Sequence, residues 1–315
     1  MIKKIAVLGA GTMGHGIAEI FAMYKYDVNL YDPFEQTLKN VKKIIGEELE
    51  FLAKNNYIEE NEVKETLSRI TLFSNFEEAV KDVDFAIEAT LEKIELKQEL
   101  FESLDKICKK DTILASNTSS LQLSDMISKV SEERKKYCML NHWYNPAHLM
   151  PLVELSYFGN MPDEIFVEVE KLYKNINKVT IKILKEIPGL VANRIQQGVA
   201  REVFSLIENN IASSEDIDKA LMFGPAFRYA TTGQLEVADL GGIDIWCIVG
   251  DNLLKEMDNS QNANNLLREK IKENKLGIKT GEGFFKYNEE DKLKVKNDFF
   301  KRLLTQLKVS EEYKK

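Results

Sequence analysis

From residue 3 to about 183, short β-branched and apolar runs alternate with stretches whose apolar positions recur every three or four residues. The runs KIAVLG (4–9), DVNLYD (27–32), RITLF (69–73), VDFAIEA (83–89), TILASN (112–117) and KKYCMLNH (135–142) read as strands. Strand, crossover helix, strand, repeated in this way, predicts an α/β fold with a doubly wound, mostly parallel sheet. Residues 35–68 break the rhythm with charged, helix-forming sequence, long enough for two helices about a break at KNNY (54–57). An inserted helical hairpin is expected there.

Near residue 184 the pattern changes. IPGLVANRI supplies a proline–glycine boundary, and Leu190, Val191, Ile195, Val199, Val203, Leu206 and Ile207 then fall at helical spacing. Beyond this point no convincing strand appears. The expectation is two domains, 1–183 built on the sheet and 184–315 an all-α C-terminal domain. Ser213 and Ser214 stand before Glu215 and Asp216 as an N-cap, and the last 25 residues, rich in Lys and Glu, read as a solvated terminal helix.

Composition narrows the functional classes. A net charge of −8, with basic residues scattered, argues against nucleic acid as the main partner, because phosphate contacts need a basic face. No segment approaches the roughly 20 apolar residues that cross a bilayer, so no membrane association is expected. The opening MIKKIAVLGAGTMG has too short an apolar run for an export signal. The three cysteines are far apart and form neither a disulfide framework nor a metal-ligand spacing, which fits a reducing, cytoplasmic setting with no metal.

The first strand runs into Gly9-Ala10-Gly11-Thr12-Met13-Gly14, which opens a helix. In such a loop the first glycine permits a tight turn, the second lets backbone approach a pyrophosphate, and the third packs helix on strand. The next strand ends in Asp32, 18 residues beyond Gly14, placed to accept hydrogen bonds from the adenosine ribose. That carboxylate would repel a 2′-phosphate and no arginine follows it, so NAD is expected rather than NADP.

Two of the three histidines, His142 and His148, lie close to Glu154 in NHWYNPAHLMPLVE (141–154). Oxidising an alcohol by hydride transfer requires a base for the hydroxyl proton, and histidine titrates near neutrality. A carboxylate on the other ring nitrogen fixes the tautomer and stabilises the imidazolium. Read alone, His142 is as well explained by a satisfied structural histidine, Ser119 by a turn, Asn193 by a helix N-terminus and Lys97 by a solvated helix. His148 reads as structural or pocket-lining, and His15 as facing solvent or nearby backbone.

Taken together, GAGTMG, EATLEKIELKQELF (88–101), ASNTSSL (115–121), HWYNPAHLMPLVE (142–154), PGLVANRI (188–195) and GIKTGEGFFKY (277–287) resemble the 3-hydroxyacyl-CoA dehydrogenase family, in order and over nearly the whole chain. The resemblance implies His142 as catalytic base, Glu154 as its acidic partner, and Ser119 and Asn193 on the substrate oxygens. It further implies Glu92, Lys97 and Lys279 near the cofactor, and a homodimer, with which the apolar helix at 189–211 is consistent. Asn117, Ser119 and Asn145 are assigned to the cofactor as well, and Lys54 and Arg228 to a small-molecule substrate.

Two departures keep the substrate open. PAFRYATTGQLEVADLGGIDIW (225–246) and PLVE differ from short-chain acyl-CoA members and resemble branches acting on free hydroxy acids or polar alcohols. Glu47, Glu48 and Glu50 stand where a polyanionic CoA would approach the hairpin, while Arg228 offers a guanidinium for a free carboxylate. The expected reaction interconverts a short-chain 3-hydroxyacyl-CoA and its 3-oxo form. A free hydroxy acid is the alternative substrate, and a non-catalytic NAD-binding relative the alternative class.

Overall fold

A computed structural model describes residues 2–314. The chain forms two compact units, one through Val191 and one from Ala192 onward.

The first unit is built on eight strands: β1 (Lys4–Leu8), β2 (Asp27–Tyr31), β3 (Ile70–Phe73), β4 (Phe85–Glu88), β5 (Ile113–Ser116), β6 (Cys138–Trp143), β7 (Leu152–Ser156) and β8 (Val179–Ile183). Between them lie α1 (Gly14–Met23), α2 (Glu35–Lys54), α3 (Glu60–Ser68), α4 (Phe76–Val80), α5 (Ile94–Ile107), α6 (Leu123–Met126), α7 (Glu132–Lys135) and α8 (Asp163–Asn175). The order across the sheet is β3-β2-β1-β4-β5-β6-β7-β8, and every neighbouring pair is parallel except β6 and β7.

Periodicity foretells the first six strands and the α2–α3 hairpin, but not β7 and β8. β7 is a five-residue run interrupted by an acid, and β8 carries Lys182 and an exposed Val179, so neither offers a clean alternation. Central strands β4 and β5 are buried along their whole length, as a sheet covered on both faces requires. On one face Phe21 of α1 meets Phe85, Trp143 and Tyr173 with centroids 5.6–6.2 Å apart. On the other, Leu114, Leu140 and Ala86 pack with Phe101 and Leu104 of α5 and Met126 of α6.

The turn from β1 into α1 demands glycine twice. Gly9 has φ +98°, and a Cβ there would lie 2.7 Å from the Ala89 carbonyl oxygen. A Cβ on Gly14 would lie 1.7 Å from the Gly9 carbonyl oxygen.

The second unit contains α9 (Ala192–Glu208), α10 (Ser214–Phe223), α11 (Pro225–Tyr229), α12 (Gln234–Gly241), α13 (Ile243–Leu253), α14 (Asn265–Lys272) and α15 (Lys292–Ser310). Ser213 caps α10 by accepting the Asp216 N–H at 3.1 Å. No residue of α9 or α13 is fully buried within the chain, and Phe223, Phe227, Leu235 and Leu240 are 70–84% exposed. The terminal helix α15 is not wholly solvated, since Leu304 and Leu307 point inward. Among the described residues no helix is long and apolar enough to cross a membrane.

Substituting Gly14→Ala pits a new methyl against backbone that cannot step aside. The expected loss is about 3 kcal/mol or more, read as a fall in the urea midpoint of unfolding, whereas Gly11→Ala, where a Cβ meets nothing within 4 Å, leaves the midpoint near wild type.

Candidate active site

β6 and β7 run antiparallel with His142 directly opposite Glu154. Residues facing each other across such a pair lie within side-chain reach. His142 Nδ1 is 2.7 Å from Glu154 Oε2, and both residues are buried. Because a carboxylate only accepts, Nδ1 carries the hydrogen and Nε2 is left to accept a proton. The other carboxylate oxygen takes the Val191 N–H at 2.9 Å, a donor delivered by the turn at Gly189 (φ +80°) and Leu190 (φ +49°). The ring of Tyr144 stands edge-on to His142, 5.6 Å between centroids, and burial and the charge of Glu154 push its phenol up from its ordinary value.

The loop after β5 is tied to the same strand. Asn117 Oδ1 accepts the Trp143 N–H at 2.8 Å, and the Ser119 carbonyl accepts the Gly189 N–H at 3.1 Å. Glu92 shapes this turn: Oε1 accepts the hydroxyls of Thr118 and Ser120 and the N–H groups of Ser119 and Ser120. Burial works to raise Glu92, but the Thr118 and Ser120 bonds and the Lys97 charge outweigh it, and its carboxyl lies below the ordinary glutamate value. Its share of the turn's stability is complete above the unfolded glutamate range and is lost as pH falls through that lowered value.

Lys97 is not a solvated helix residue. It is 1% exposed, with Nζ 2.6 Å from Glu88 Oε1 and 3.3 Å from Glu92 Oε2. Glu88, at the end of β4, is fully buried and also accepts from Ser116 Oγ, the Thr90 N–H and Thr90 Oγ1. Sequence reasoning missed Glu88 and Thr118. The signal for the first was an acid closing the apolar run VDFAIEA, the same signature that marked Asp32.

Asp32 is buried, with Oδ2 on the Ala10 N–H and Oδ1 on the Phe34 N–H, both at 2.9 Å. A dinucleotide fits this loop on an observation of its own. Gly11 has neither a positive φ nor a protein atom within 4 Å of the place a Cβ would take. Nothing in the protein requires glycine there, whereas a pyrophosphate lying against the backbone does. Thr12 and Met13 complete the loop into α1, for which Met13 is the N-cap.

The remaining candidates belong to other elements of the two units. Asn145 is exposed in the β6–β7 loop, and Asn193 is half-buried in the first turn of α9. Arg228 is exposed on α11 beside the Tyr229 ring. Lys279 is exposed and contributes to the wall of a cavity of about 550 Å³ in the second unit, together with Phe204, Phe284 and Lys270. On the hairpin, Lys54 pairs with Glu50 and Lys43 with Glu47, while Glu48 turns inward. The acidic stretch is therefore balanced at its surface and does not form the repulsive face expected from its sequence.

Residues 4–187 match the family model for the 3-hydroxyacyl-CoA dehydrogenase NAD binding domain, and residues 189–287 match that for the 3-hydroxyacyl-CoA dehydrogenase C-terminal domain. The chain is 35% identical to 3-hydroxybutyryl-CoA dehydrogenase of Clostridioides difficile over 90% of this chain and 99% of that one. It is similar to the solved 5-formyl-3-hydroxy-2-methylpyridine 4-carboxylic acid 5-dehydrogenase, an NAD+-dependent dismutase, with TM-score 0.90, 25% identity and all of both chains covered. It is also similar to (S)-3-hydroxybutyryl-CoA dehydrogenase from Ralstonia eutropha, with TM-score 0.73 and 30% identity over 92% of this chain and all of that one. The chain belongs to the 3-hydroxyacyl-CoA dehydrogenase family and is an NAD-dependent oxidoreductase acting on CH–OH groups.

Replacing Lys97 by Met leaves Glu88 buried without its counter-charge. A loss of about 3–5 kcal/mol is expected, seen as a lowered denaturation midpoint that the double variant Glu88→Gln, Lys97→Met partly recovers.

Proposed function

We propose that this enzyme interconverts a short-chain 3-hydroxyacyl-CoA and the corresponding 3-oxoacyl-CoA, with His142 as the acid–base residue. The observation that carries the reading is the buried His142–Glu154 pair, whose geometry leaves Nε2 as the proton acceptor. When bound, NAD+ would supply the acceptor for the hydride of the carbinol carbon. His142 Nε2 takes the hydroxyl proton, and Glu154, held by the Val191 N–H, stabilises the imidazolium that results. Ser119 and Asn193 hold the substrate oxygens. Gly9–Gly14 and Asp32 hold the dinucleotide, with Asn117, Asn145 and Lys279 as further contacts. Glu92 and Lys97 serve it indirectly, by fixing the 118–120 turn.

A second reading, a free hydroxy acid or similar polar alcohol as substrate, is favoured by one observation. The pyridine carboxylate enzyme matches the whole chain, whereas the Ralstonia eutropha enzyme matches 92% of it. Arg228 is the residue that would meet a free carboxylate, and Lys54 the one that would meet a CoA phosphate. The exposed apolar side chains of α10 to α13 support a homodimer that covers them, and the buried, unpaired thiols of Cys108 and Cys138 suit a cytoplasmic enzyme.

His142→Gln is expected to lower kcat by about a hundred- to ten-thousand-fold while NADH binding, followed by fluorescence, is kept. Unchanged turnover would remove His142 from the mechanism. NADH oxidation measured with acetoacetyl-CoA and with free 3-oxo acids decides the substrate. Faster turnover of the thioester is expected, and turnover of the free acid alone overturns the acyl-CoA reading.

A further inference from the structure

A second polar cluster lies in the first unit, outside the groups assigned to catalysis. His15 and Glu19 stand one turn apart on α1, Glu48 projects from α2, and His148 comes from the β6–β7 loop. The loop reaches α1 because the helix is bare at Gly16, where a Cβ would lie 3.1 Å from Ala147 Cβ and 3.4 Å from the His148 nitrogen. Lys178 Nζ donates to the Ala147 and Met150 carbonyls, both at 2.7 Å, and fixes the loop.

We propose that Glu19, Glu48 and His148, completed by His15, form a binding site for a zinc-class divalent metal ion. Donor atoms of Glu19, Glu48 and His148 lie within 4.8 Å of one another. Glu48 Oε2 is 3.2 Å from His15 Nε2 and 3.7 Å from His148 Nδ1. These distances bracket the edge of about 3.4 Å that a tetrahedron with metal bonds near 2.1 Å would have. Glu19 is completely buried, yet neither of its carboxylate oxygens receives a hydrogen bond. Burying such oxygens is costly without a cation or donors to meet them.

The imidazole of His15 has the orientation a ligand requires. Its Nδ1 is 2.7 Å from the Gly11 carbonyl, so that nitrogen donates and Nε2 is left with a lone pair beside Glu48. A bound dication would meet the buried Glu19 oxygens that no donor reaches. Two imidazoles with two carboxylates favour zinc, manganese or iron over magnesium or calcium, which prefer all-oxygen shells. The ion would tie α1, directly behind the glycine loop, to α2 and to the loop that follows His142. Its role would be to stiffen, with no part in the proton or hydride transfer.

The test uses tag-free full-length enzyme stripped with a chelator, titrated with ZnCl₂ by calorimetry and followed by thermal unfolding, with MgCl₂ as control. One ion per chain is expected, with a rise in Tm of about 5 °C at a hundredfold excess over Kd. Glu19→Gln, similar in shape and neutral, is expected to fold, retain NADH binding and bind Zn²⁺ at least tenfold more weakly without the Tm rise. His148→Gln is expected to do the same. Absence of Zn²⁺ binding in the wild type, or equal affinity in both variants, overturns the proposal.

Discussion

A carboxylate taken out of water must be met on both oxygens, and Glu154 satisfies this in a way that organises its surroundings. One oxygen faces His142 and the other holds the Val191 N–H at the end of the first unit. The arrangement exists because β7 runs against β6 in an otherwise parallel sheet, setting position 142 opposite position 154. With β7 shifted by one residue, Glu154 would move to the other face of the sheet. Register, tautomer and the turn at 189–190 are thus different aspects of one constraint.

A parallel arrangement governs the preceding strands. Glu88 at the end of β4 gathers Lys97, Thr90 and Ser116, and Lys97 extends the network to Glu92 and the 118–120 turn. The loop carrying Ser119 is fixed by the Glu92 carboxylate, and Leu121 beside it packs against the core. The turn is therefore ordered by hydrogen bonds that converge on one carboxylate.

The sheet was legible in the sequence because strands buried on both faces read as unbroken apolar runs, and the glycine loop because its spacing reflects backbone geometry. β8 was not, since Lys182 and the exposed Val179 at the sheet edge erase the pattern. His142 and Glu154 were chosen by their chemistry and nearness in sequence, and the hairpin pairing that joins them is a local event that sequence distance follows well. Lys97 illustrates the opposite case. Whether a lysine on an amphipathic helix faces water or a buried acid depends on what β4 carries nine residues earlier, and single-residue reasoning cannot weigh that. The hairpin glutamates misled for a related reason, since i,i+4 lysines neutralise two of them and the third turns inside.

Asp32 carries a consequence for redesign. The side chain that would repel a phosphorylated ribose also anchors the glycine loop through the Ala10 N–H. Exchanging it for a neutral residue to recruit the phosphorylated cofactor would release the loop as the repulsion is removed. A change of cofactor in this scaffold therefore requires replacement acceptors for two backbone amides, those of Ala10 and Phe34, as well as a new cation.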